Sequence, residues 1–502
     1  MRGVKVKRKK QFIKNVLILT AVSLLMRAVS FSFNVYIANK IGASGMGLFA
    51  LIMSVYNFGV TFAASGINLA STKVIAEEMA KGKSKSAAVR KCILYALFFG
   101  SMAFALIFFA APFFGGTIVG DERIILPLKI LSISLPCVAV SFALGGYFTA
   151  TGKVWKNSVV QVTEQIVKIV SAVILLSVCD CSNAQNACVS LVAGGTVSEI
   201  ISFIILYIVY RVDIRKERAQ ASPDLKRRVL RYGLPVATSA YLRSALTTTE
   251  HTLIPKMLEK FSGIKETAIA AYGVVHGMVM PMIFLPSGVV SSVATLLIPE
   301  ITMLNKLNQY KKIDNIIERT LSLTLTFSVG AAGIMYFFAE EIGMLFYNSR
   351  EAVYFLKMIA PVVAIMYADG VVDAVLKGLN QEIYAMRYDI VLSAVSIILI
   401  STLIPVKGVE GYIVIIYISE MMNAYLSINR LMEVSDFNIK PLRWTAIPAL
   451  AVLTASFFAR SFLGDSAKSI ILAIAVYGLI MIVYRGKSHT LQKSSFVVKY
   501  LR

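Results

Sequence analysis

Long runs of apolar residues, separated by short polar segments, dominate this chain. A helix needs about 20 mostly apolar residues to cross a membrane, and fourteen segments have this length and character. Their cores are 16–38, 46–70, 91–111, 126–150, 157–178, 187–210, 231–255, 268–297, 316–338, 353–376, 386–406, 411–430, 444–463 and 467–484. The pattern predicts an all-α polytopic membrane protein with fourteen transmembrane helices.

Composition supports this prediction and excludes a soluble enzyme. Of 502 residues, 57% are hydrophobic and only 16% are charged, which is too apolar for a soluble globular protein. The loops are too short for a separate catalytic domain. Lys81–Ser84 resembles the end of a phosphate-binding loop, but Glu77 stands where that motif requires glycine. We therefore expect neither ATP hydrolysis nor any other enzymatic activity, and no cofactor.

The net charge of +23 is unevenly distributed along the chain. Most Lys and Arg residues fall in the N-terminal segment and in alternate loops, as the positive-inside rule describes. This distribution predicts a multi-pass cell-membrane protein with both termini in the cytoplasm. The basic segments 5–14, 73–91 and 211–231 are expected to contact anionic lipids of the cytoplasmic face, and nucleic acid is excluded as a partner.

The two halves of the chain repeat weakly. Arg27 lies near the middle of the first apolar run, and Arg243 occupies the matching place 216 positions later. Ser65 and Gly66 likewise match Ser287 and Gly288 at a shift of 222. Because each half contains an even number of spans, both halves enter the membrane in the same orientation. The repeats are therefore parallel and related by an axis along the membrane normal.

This repeat predicts the domain organisation. We expect an N-lobe at residues 1–210, a cytoplasmic linker at 211–230, a C-lobe at 231–430, and two additional helices with a basic tail at 431–502. Two such lobes would enclose a central cavity and expose it to each side in turn. Prolines in spans can bend or break helices of such a bundle; among them are Pro136, Pro235, Pro281, Pro286 and Pro361.

Arg27 and Arg243 are the first candidates for a binding site. A charge near the bilayer centre costs about 2.5–3.5 kcal/mol on insertion scales, so an intramembrane arginine is a functional hypothesis. Guanidinium groups bind phosphate oxygens bidentately and remain charged when poorly solvated. Two of them facing one cavity would suit a pyrophosphate. The structural alternative is that each is neutralised by a nearby acid and holds helices together.

Four further residues are candidates for an ion or proton site, or for counter-charges to the arginines. Glu250 and His251 follow Arg243 by two turns of the same helix, and histidine titrates near physiological pH. Asp369 and Asp373 share one helical face without an obvious local partner. For each of the four, a purely structural role is the alternative. His276, Glu420 and Asn423 are interpreted as structural.

Cysteine spacing does not indicate zinc. Cys179, Cys181 and Cys188 fall in one predicted extracellular loop and the adjoining helix, where a disulfide and unpaired small residues are equally compatible with the sequence. Cys92 and Cys137 lie in spans, where thiols behave as small hydrophobic groups.

Several stretches together resemble a known family. They are GASGMGLFALIMSVYNFGVTFAASGINLASTKVIAEE, LPVATSAYLRSALTTTEHTLIPKML, LPSGVVSSVATLLIPEI and LKGLNQE. In this order they are similar to the stage V sporulation protein B and polysaccharide-biosynthesis transporters. That family belongs to the multidrug/oligosaccharidyl-lipid/polysaccharide exporter superfamily, which includes the lipid II flippases. The similarity runs over roughly residues 12–430.

The resemblance implies two six-helix bundles around a central cavity, with two extra helices. It also implies a cargo, an undecaprenyl-pyrophosphate-linked oligosaccharide or peptidoglycan precursor, moved from the inner to the outer leaflet. Arg27 and Arg243 match the cavity arginines that hold pyrophosphate in the lipid II branch. Cell-wall synthesis proteins are further expected partners.

Two alternatives remain open from the sequence. A cation-coupled drug or metabolite antiporter of the same superfamily would depend more on Asp369, Asp373 and Glu250 than on the arginines. A non-transporting scaffold of a cell-wall synthesis complex would tolerate charge-neutral substitutions at both arginines.

Overall fold

The structure is a computed structural model. It describes residues 2–179, 183–214, 222–437, 440 and 442–500, and within these ranges the side chains from Leu24 to Arg485. Every regular element in these ranges is helical, as the apolar runs predict. Two compact units are present: unit 1 comprises Met1–Gly277 with Ser393–Tyr412, and unit 2 comprises Met278–Leu392 with Ile413–Arg502.

The α-helices of unit 1 include several that are longer than a membrane span. They are α1 (Arg2–Ala64), α2 (Ile67–Ala80), α3 (Lys85–Phe113), α4 (Ile125–Ser132), α5 (Leu135–Ala150), α6 (Val154–Val178), α7 (Ala184–Asp213), α8 (Leu225–Ser262) and α9 (Lys265–Gly273). Irregular helical turns lie between some of them, a π-helix at Phe114–Val119 and a 3₁₀-helix at Glu122–Ile124. A second π-helix, Val274–Val279, follows α9 directly.

Unit 2 also consists of α-helices with short 3₁₀- and π-helical segments between some of them. Its α-helices are α10 (Met280–Phe284), α11 (Ser287–Lys306), α12 (Tyr310–Phe337), α13 (Ala339–Tyr347), α14 (Arg350–Ile359), α15 (Val363–Gly378), the flanking parts of α16 (Glu382–Val434), α17 (Ile447–Leu463) and α18 (Ala467–Tyr500). The central part of α16, Ser393–Tyr412, belongs to unit 1. A 3₁₀-helix at Ala360–Val362 joins α14 to α15, and a π-helix at Leu442–Ala446 precedes α17.

The prediction of an all-α polytopic fold is confirmed, but the count of fourteen spans is not. Among the described residues, 11 helices are long and apolar enough to cross a membrane, or 12 if the bent pair Glu122–Ser132 and Leu135–Ala150 forms one span. Two predicted pairs of spans run together in α1 and α16, whereas the predicted span at 268–297 is divided between Lys265–Phe284 and Ser287–Lys306. The predicted span at 231–255 lies in α8, whose many polar residues keep it below the required hydropathy.

Glycine explains how α1 and α16 each cover two predicted spans. Gly42 has φ 71° inside α1, and Gly408 has φ 57° inside α16. A side chain disfavours this left-handed region, whereas glycine adopts it at little cost. Both glycines fall in the short gaps between predicted spans, so the chain changes direction there without an intervening loop.

Four of the five prolines named in the sequence analysis lie at or beside helix starts. Pro136 begins α5 after a bend of 47°, and Pro281 begins α10. Pro286 immediately precedes α11, and Pro361 lies in the 3₁₀-helix between α14 and α15. The ring removes a backbone donor and clashes with the preceding turn, which favours such positions. Pro235 is the exception, because α8 continues through it.

Close backbone contact joins α1 to α9 within unit 1. A Cβ atom added at Gly47 would lie 2.0 Å from the Ile269 carbonyl oxygen, and one at Gly273 would lie 2.0 Å from that of Ala43. Only glycine fits at both positions. This contact brings the segments before and after it, including the π-helix at Val274–Val279, against α1.

Candidate functional site

Arg27 on α1 and Arg243 on α8 both belong to unit 1, and both side chains are exposed. An exposed guanidinium at mid-span faces either lipid, which is costly, or a hydrated cavity. Both helices contain long stretches without another basic residue near these positions. The two arginines are therefore distinct local charges in their helices.

Unit 1 contains a cavity of about 320 Å³ between α1, α8 and the end of α9. Its lining mixes apolar side chains, such as Met46 and Phe49, with amide, hydroxyl and imidazole groups. Its polar lining residues include Asn34, Asn57, Ser244, Thr247, His251 and His276. A lining of this kind can hydrogen-bond a polar ligand while excluding bulk water.

The cavity wall itself does not include Arg27 or Arg243 among the described side chains. Arg243 directly precedes Ser244 and lies about one turn before Thr247 on α8. Arg27 lies two turns, about 10 Å of helix rise, before Asn34 on α1. Both arginines are thus within two helical turns of positions that line the cavity.

Glu250 and His251, predicted as a possible ion or proton site, have different environments. The Glu250 side chain is partly buried, and its Oε1 atom is fully buried without a hydrogen-bond partner among the described residues. His251 lines the cavity, and its Nδ1 atom lies 3.0 Å from the Tyr272 hydroxyl.

His276, which the sequence analysis interpreted as structural, lies in contact with His251. Its ring centroid lies 4.7 Å from that of His251, and its Nε2 atom is hydrogen-bonded to the Tyr412 hydroxyl of α16. A signal was present in the sequence. His251 and His276 lie at nearly equal distances along the chain on either side of Gly263, the residue that follows α8. In a helical hairpin, such residues lie at the same depth.

The acidic candidates Asp369 and Asp373 lie on α15 in unit 2. Asp369 is 8% exposed; its Oδ2 atom accepts a hydrogen bond from Asn423 of α16 at 2.7 Å, whereas its Oδ1 atom is buried without a partner among the described residues. Asp373 pairs with Lys377 one turn later, at 3.8 Å. The expectation that Asp373 has no local partner is therefore wrong, because an i,i+4 neighbour is in reach.

Asn423, interpreted as structural from sequence, is thus the hydrogen-bond partner of a buried carboxylate. Its position on α16 is 54 residues from Asp369. Only the tertiary fold brings the two together, and no local spacing indicates it.

Ion pairs anchor the start of α8 to α2. Arg228 donates to Glu78 at 2.6 Å and also pairs with Glu77, which in turn accepts from the Tyr232 hydroxyl at 2.8 Å. The Glu78 side chain is fully buried. Ser222 donates to the same carboxylate at 3.0 Å.

A second ion cluster lies around the turn between α8 and α9. Arg123 donates to both carboxylate oxygens of Asp121 and reaches Glu266 of α9 at 3.1 Å. Ser44 of α1 donates to the same glutamate, and Lys265 lies 3.4 Å from Asp121. Burial alone would raise the pKa of Asp121, but its hydrogen bonds with Arg123 and the nearby cations lower it. The first cluster therefore holds the start of α8 against α2, and the second holds the start of α9, which follows the end of α8, to α1.

Neither Cys179 nor Cys188 forms a disulfide: Cys179 is an exposed free thiol and Cys188 a buried one. Cys181 lies outside the described residues. The described side chains also include no group of three His, Cys, Asp or Glu residues arranged to hold a metal ion.

Comparison with known sequences gives the family. The model of a family described as "Polysaccharide biosynthesis protein" matches residues 12–305. Stage V sporulation protein B of Bacillus subtilis (strain 168) is 25% identical over 499 residues, covering 95% of this chain and 96% of that protein. The lipid II flippase MurJ of the same strain is 20% identical over 459 residues, covering 84% of this chain and 83% of that protein.

Comparison with solved structures supports the same fold. The chain is similar to a structure entitled "Lipid II flippase MurJ, inward closed conformation", with a TM-score of 0.72 and 16% identity, over 94% of this chain and 99% of that chain. These similarities confirm the resemblance found in the sequence. They also confirm that the chain is a multi-pass membrane transporter and not an enzyme.

Proposed function

Because the chain belongs to the polysaccharide biosynthesis protein family, we propose that it flips an undecaprenyl-pyrophosphate-linked oligosaccharide or peptidoglycan precursor across the membrane. The observation that carries this proposal is the placement of Arg27 and Arg243. Each is an exposed charge at mid-span, within two turns of a polar cavity. A pyrophosphate that accepts hydrogen bonds from both guanidinium groups would bring their positive charges and its own negative charge together.

The cavity suits the part of the cargo next to the pyrophosphate. Amide, hydroxyl and imidazole groups on α1 and α8 can bind sugar hydroxyls, and a volume of about 320 Å³ accommodates one or two sugar rings. The lipid II flippase relative supports a cargo of this class.

We further propose the predicted topology and domain organisation. Both termini lie in the cytoplasm, the N-lobe is 1–210, the linker 211–230, the C-lobe 231–430, and the last two helices lie in 431–502. The cargo enters from the inner leaflet and leaves to the outer leaflet by alternating access. Single cysteines at Lys83 and Glu122 should then react with a membrane-impermeant thiol reagent from opposite sides. Anionic lipids at the cytoplasmic face and cell-wall synthesis proteins are the expected partners.

The decisive experiment is flipping of a fluorescent undecaprenyl-pyrophosphate sugar in proteoliposomes. We expect the intact protein to move the lipid. Arg27→Gln and Arg243→Gln should each reduce the flipping rate at least about tenfold, because each removes a charge-assisted bidentate contact with the pyrophosphate. Arg227→Gln is the matched control, since Arg227 is an exposed arginine of α8 that lies more than four turns before Arg243 and the cavity-lining positions. Correct folding is checked by thermal unfolding of each variant.

Unchanged flipping in both arginine variants would reject the pyrophosphate clamp. If the intact protein moves no lipid and neutral arginine substitutions leave its cellular role intact, the scaffold alternative replaces transport.

One observation favours a second candidate, a cation-coupled antiporter. One carboxylate oxygen of Asp369 accepts a hydrogen bond from Asn423, and the other is buried without a partner among the described residues. A buried carboxylate is costly unless it is paired or binds a cation or proton. This function predicts exchange of a cationic drug against protons or sodium, abolished by Asp369→Asn and unaffected by Arg27→Gln.

A further inference from the structure

Two of the three histidines in the chain are in contact. His251 on α8 and His276 in the π-helix after α9 have ring centroids 4.7 Å apart with planes at 78°. Both line the cavity of unit 1. A π-helix is rare and is frequently found at functional sites, and here it carries His276 toward its partner.

Each histidine of the pair is hydrogen-bonded to a tyrosine hydroxyl. The Tyr272 hydroxyl lies 3.0 Å from Nδ1 of His251, and the Tyr412 hydroxyl is hydrogen-bonded to Nε2 of His276. A hydroxyl can donate to a neutral ring nitrogen or accept from a protonated one. The two tyrosines can therefore satisfy either protonation state of the histidines.

Few titratable groups lie near the two histidines among the described residues. Tyr272 faces it from α9, Tyr412 faces it from α16, and the adjacent Glu250 of α8 interacts electrostatically with Tyr412. From α1 the cavity lining contributes the neutral amides of Asn34 and Asn57. Among these described groups, Glu250 is the one acid, so the state of the imidazoles largely sets the charge of this wall.

The separation of the rings limits how much charge the pair can hold. Two imidazolium ions at this distance, away from bulk water, repel each other strongly. A first proton bound by either ring therefore disfavours a second. Such a pair titrates as a unit.

We propose that His251 and His276 form a one-proton site in the cavity wall, and that its proton is coupled to a pyrophosphate-type anion bound beside Arg27 and Arg243. The coupling rests on the proposed function. With both hydroxyls donating, the neutral rings carry their hydrogens on Nε2 of His251 and Nδ1 of His276. The added proton, taken from cavity water, binds Nδ1 of His251, and the Tyr272 hydroxyl turns from donor to acceptor.

Linkage fixes the sign of the coupling. A positive wall binds a polyanion more tightly than a neutral wall, and the anion must then favour proton uptake by the same factor. The site consequently loads its proton with the cargo and releases it when the cargo leaves. The flipping cycle would thereby carry one proton with each lipid.

Selective labelling can follow the pair directly. The chain has three histidines, and His489→Gln leaves only the two of interest. In protein labelled with ¹³C at histidine Cε1, NMR titration from about pH 5 to about pH 9 covers the range in which imidazoles exchange protons. We expect the two rings together to take up one proton. Saturating inorganic pyrophosphate should raise the midpoint by about one pH unit, equal to tenfold tighter binding to the protonated pair.

The double variant His251→Gln/His276→Gln is the matched control for anion affinity. Calorimetry should show a weaker pH dependence of pyrophosphate binding than in the intact protein. The anion's own protonation is common to both proteins, so the difference between them reports the pair. Two independent protonations, or rings that stay neutral throughout, would overturn the one-proton site.

A one-proton titration that pyrophosphate leaves unmoved, although calorimetry shows that it binds, would overturn the coupling. Absence of pyrophosphate binding by calorimetry, at any pH, counts instead against the proposed arginine clamp. The titration of the free protein then decides the one-proton site alone.

Discussion

Arg228 on α8 donates a hydrogen bond of 2.6 Å to Glu78 on α2, whose side chain is fully buried. The arginine side chain is itself only 11% exposed. A buried carboxylate is tolerated because the guanidinium and Ser222 together satisfy one of its oxygens. This pair therefore fixes the start of α8, the helix that carries Arg243 and His251, against α2.

Replacing Arg228 by alanine should destabilise the protein strongly. The substitution leaves Glu78 buried without its cation, and breaking a buried ion pair in this way costs about 3–5 kcal/mol. Thermal unfolding of the detergent-solubilised protein should show a clearly lower midpoint. Arg227→Ala, at the exposed neighbouring arginine, should leave the midpoint nearly unchanged, and equal effects of the two substitutions would contradict the assigned role.

The cluster at the other end of α8 predicts a dependence of stability on pH. The pKa of Asp121 is lowered in the folded protein, so its carboxylate stabilises the fold above the unfolded value of about 3.9. That contribution is lost as pH falls through the lowered pKa, below about pH 4. Asp121→Asn should therefore cost about 1–3 kcal/mol at neutral pH, and its deficit should shrink below about pH 4.

Glu122 provides the control for this measurement. It adjoins Asp121 but is exposed, so Glu122→Gln should melt like the intact protein at every pH. A deficit of Asp121→Asn that stays constant down to about pH 3 would mean that ionisation of Asp121 does not contribute to stability.

Lysine substitutions separate charge from geometry at the two arginines. Lysine keeps the positive charge but cannot form the planar bidentate contact with a phosphate. Arg27→Lys and Arg243→Lys should therefore flip the fluorescent lipid at rates between those of the intact protein and the glutamine variants. Rates equal to the intact protein would show that charge alone is sufficient, and the bidentate clamp would be withdrawn.

Sequence patterns predicted the helical membrane fold well, because apolar runs of span length have few alternatives in a bilayer. The turns at Gly42 and Gly408 also coincide with predicted gaps between spans. The span count differed because a helix need not end where hydropathy falls. In α8, a helix of 38 residues, the polar residues around Arg243 lower the mean hydropathy below that of a typical membrane span.

Contacts between distant residues were the part that sequence could not supply. The partner of Asp369 is 54 residues away, and Arg228 reaches Glu78 across 150 residues. At the shift of 222 that matches Ser65 with Ser287, Glu78 corresponds to Glu300, yet Glu78 is buried and Glu300 is exposed. Equivalent positions in a repeat share a backbone path, whereas their charges depend on neighbours that differ between the halves.

The close packing of α1 against α9 gives a final prediction, at Gly273. A Cβ atom there would lie 2.0 Å from the Ala43 carbonyl oxygen and 2.4 Å from the Gly47 nitrogen. Since both are backbone atoms, the helices must separate to admit a methyl group, at a cost of about 1–3 kcal/mol or more. Gly273→Ala should lower the unfolding midpoint. Because the displacement reaches the adjoining π-helix, it should also alter the NMR signals of His276. Gly195→Ala is the matched control, as no atom lies within 4 Å of the added Cβ, and alanine stabilises helix interiors by up to about 1 kcal/mol.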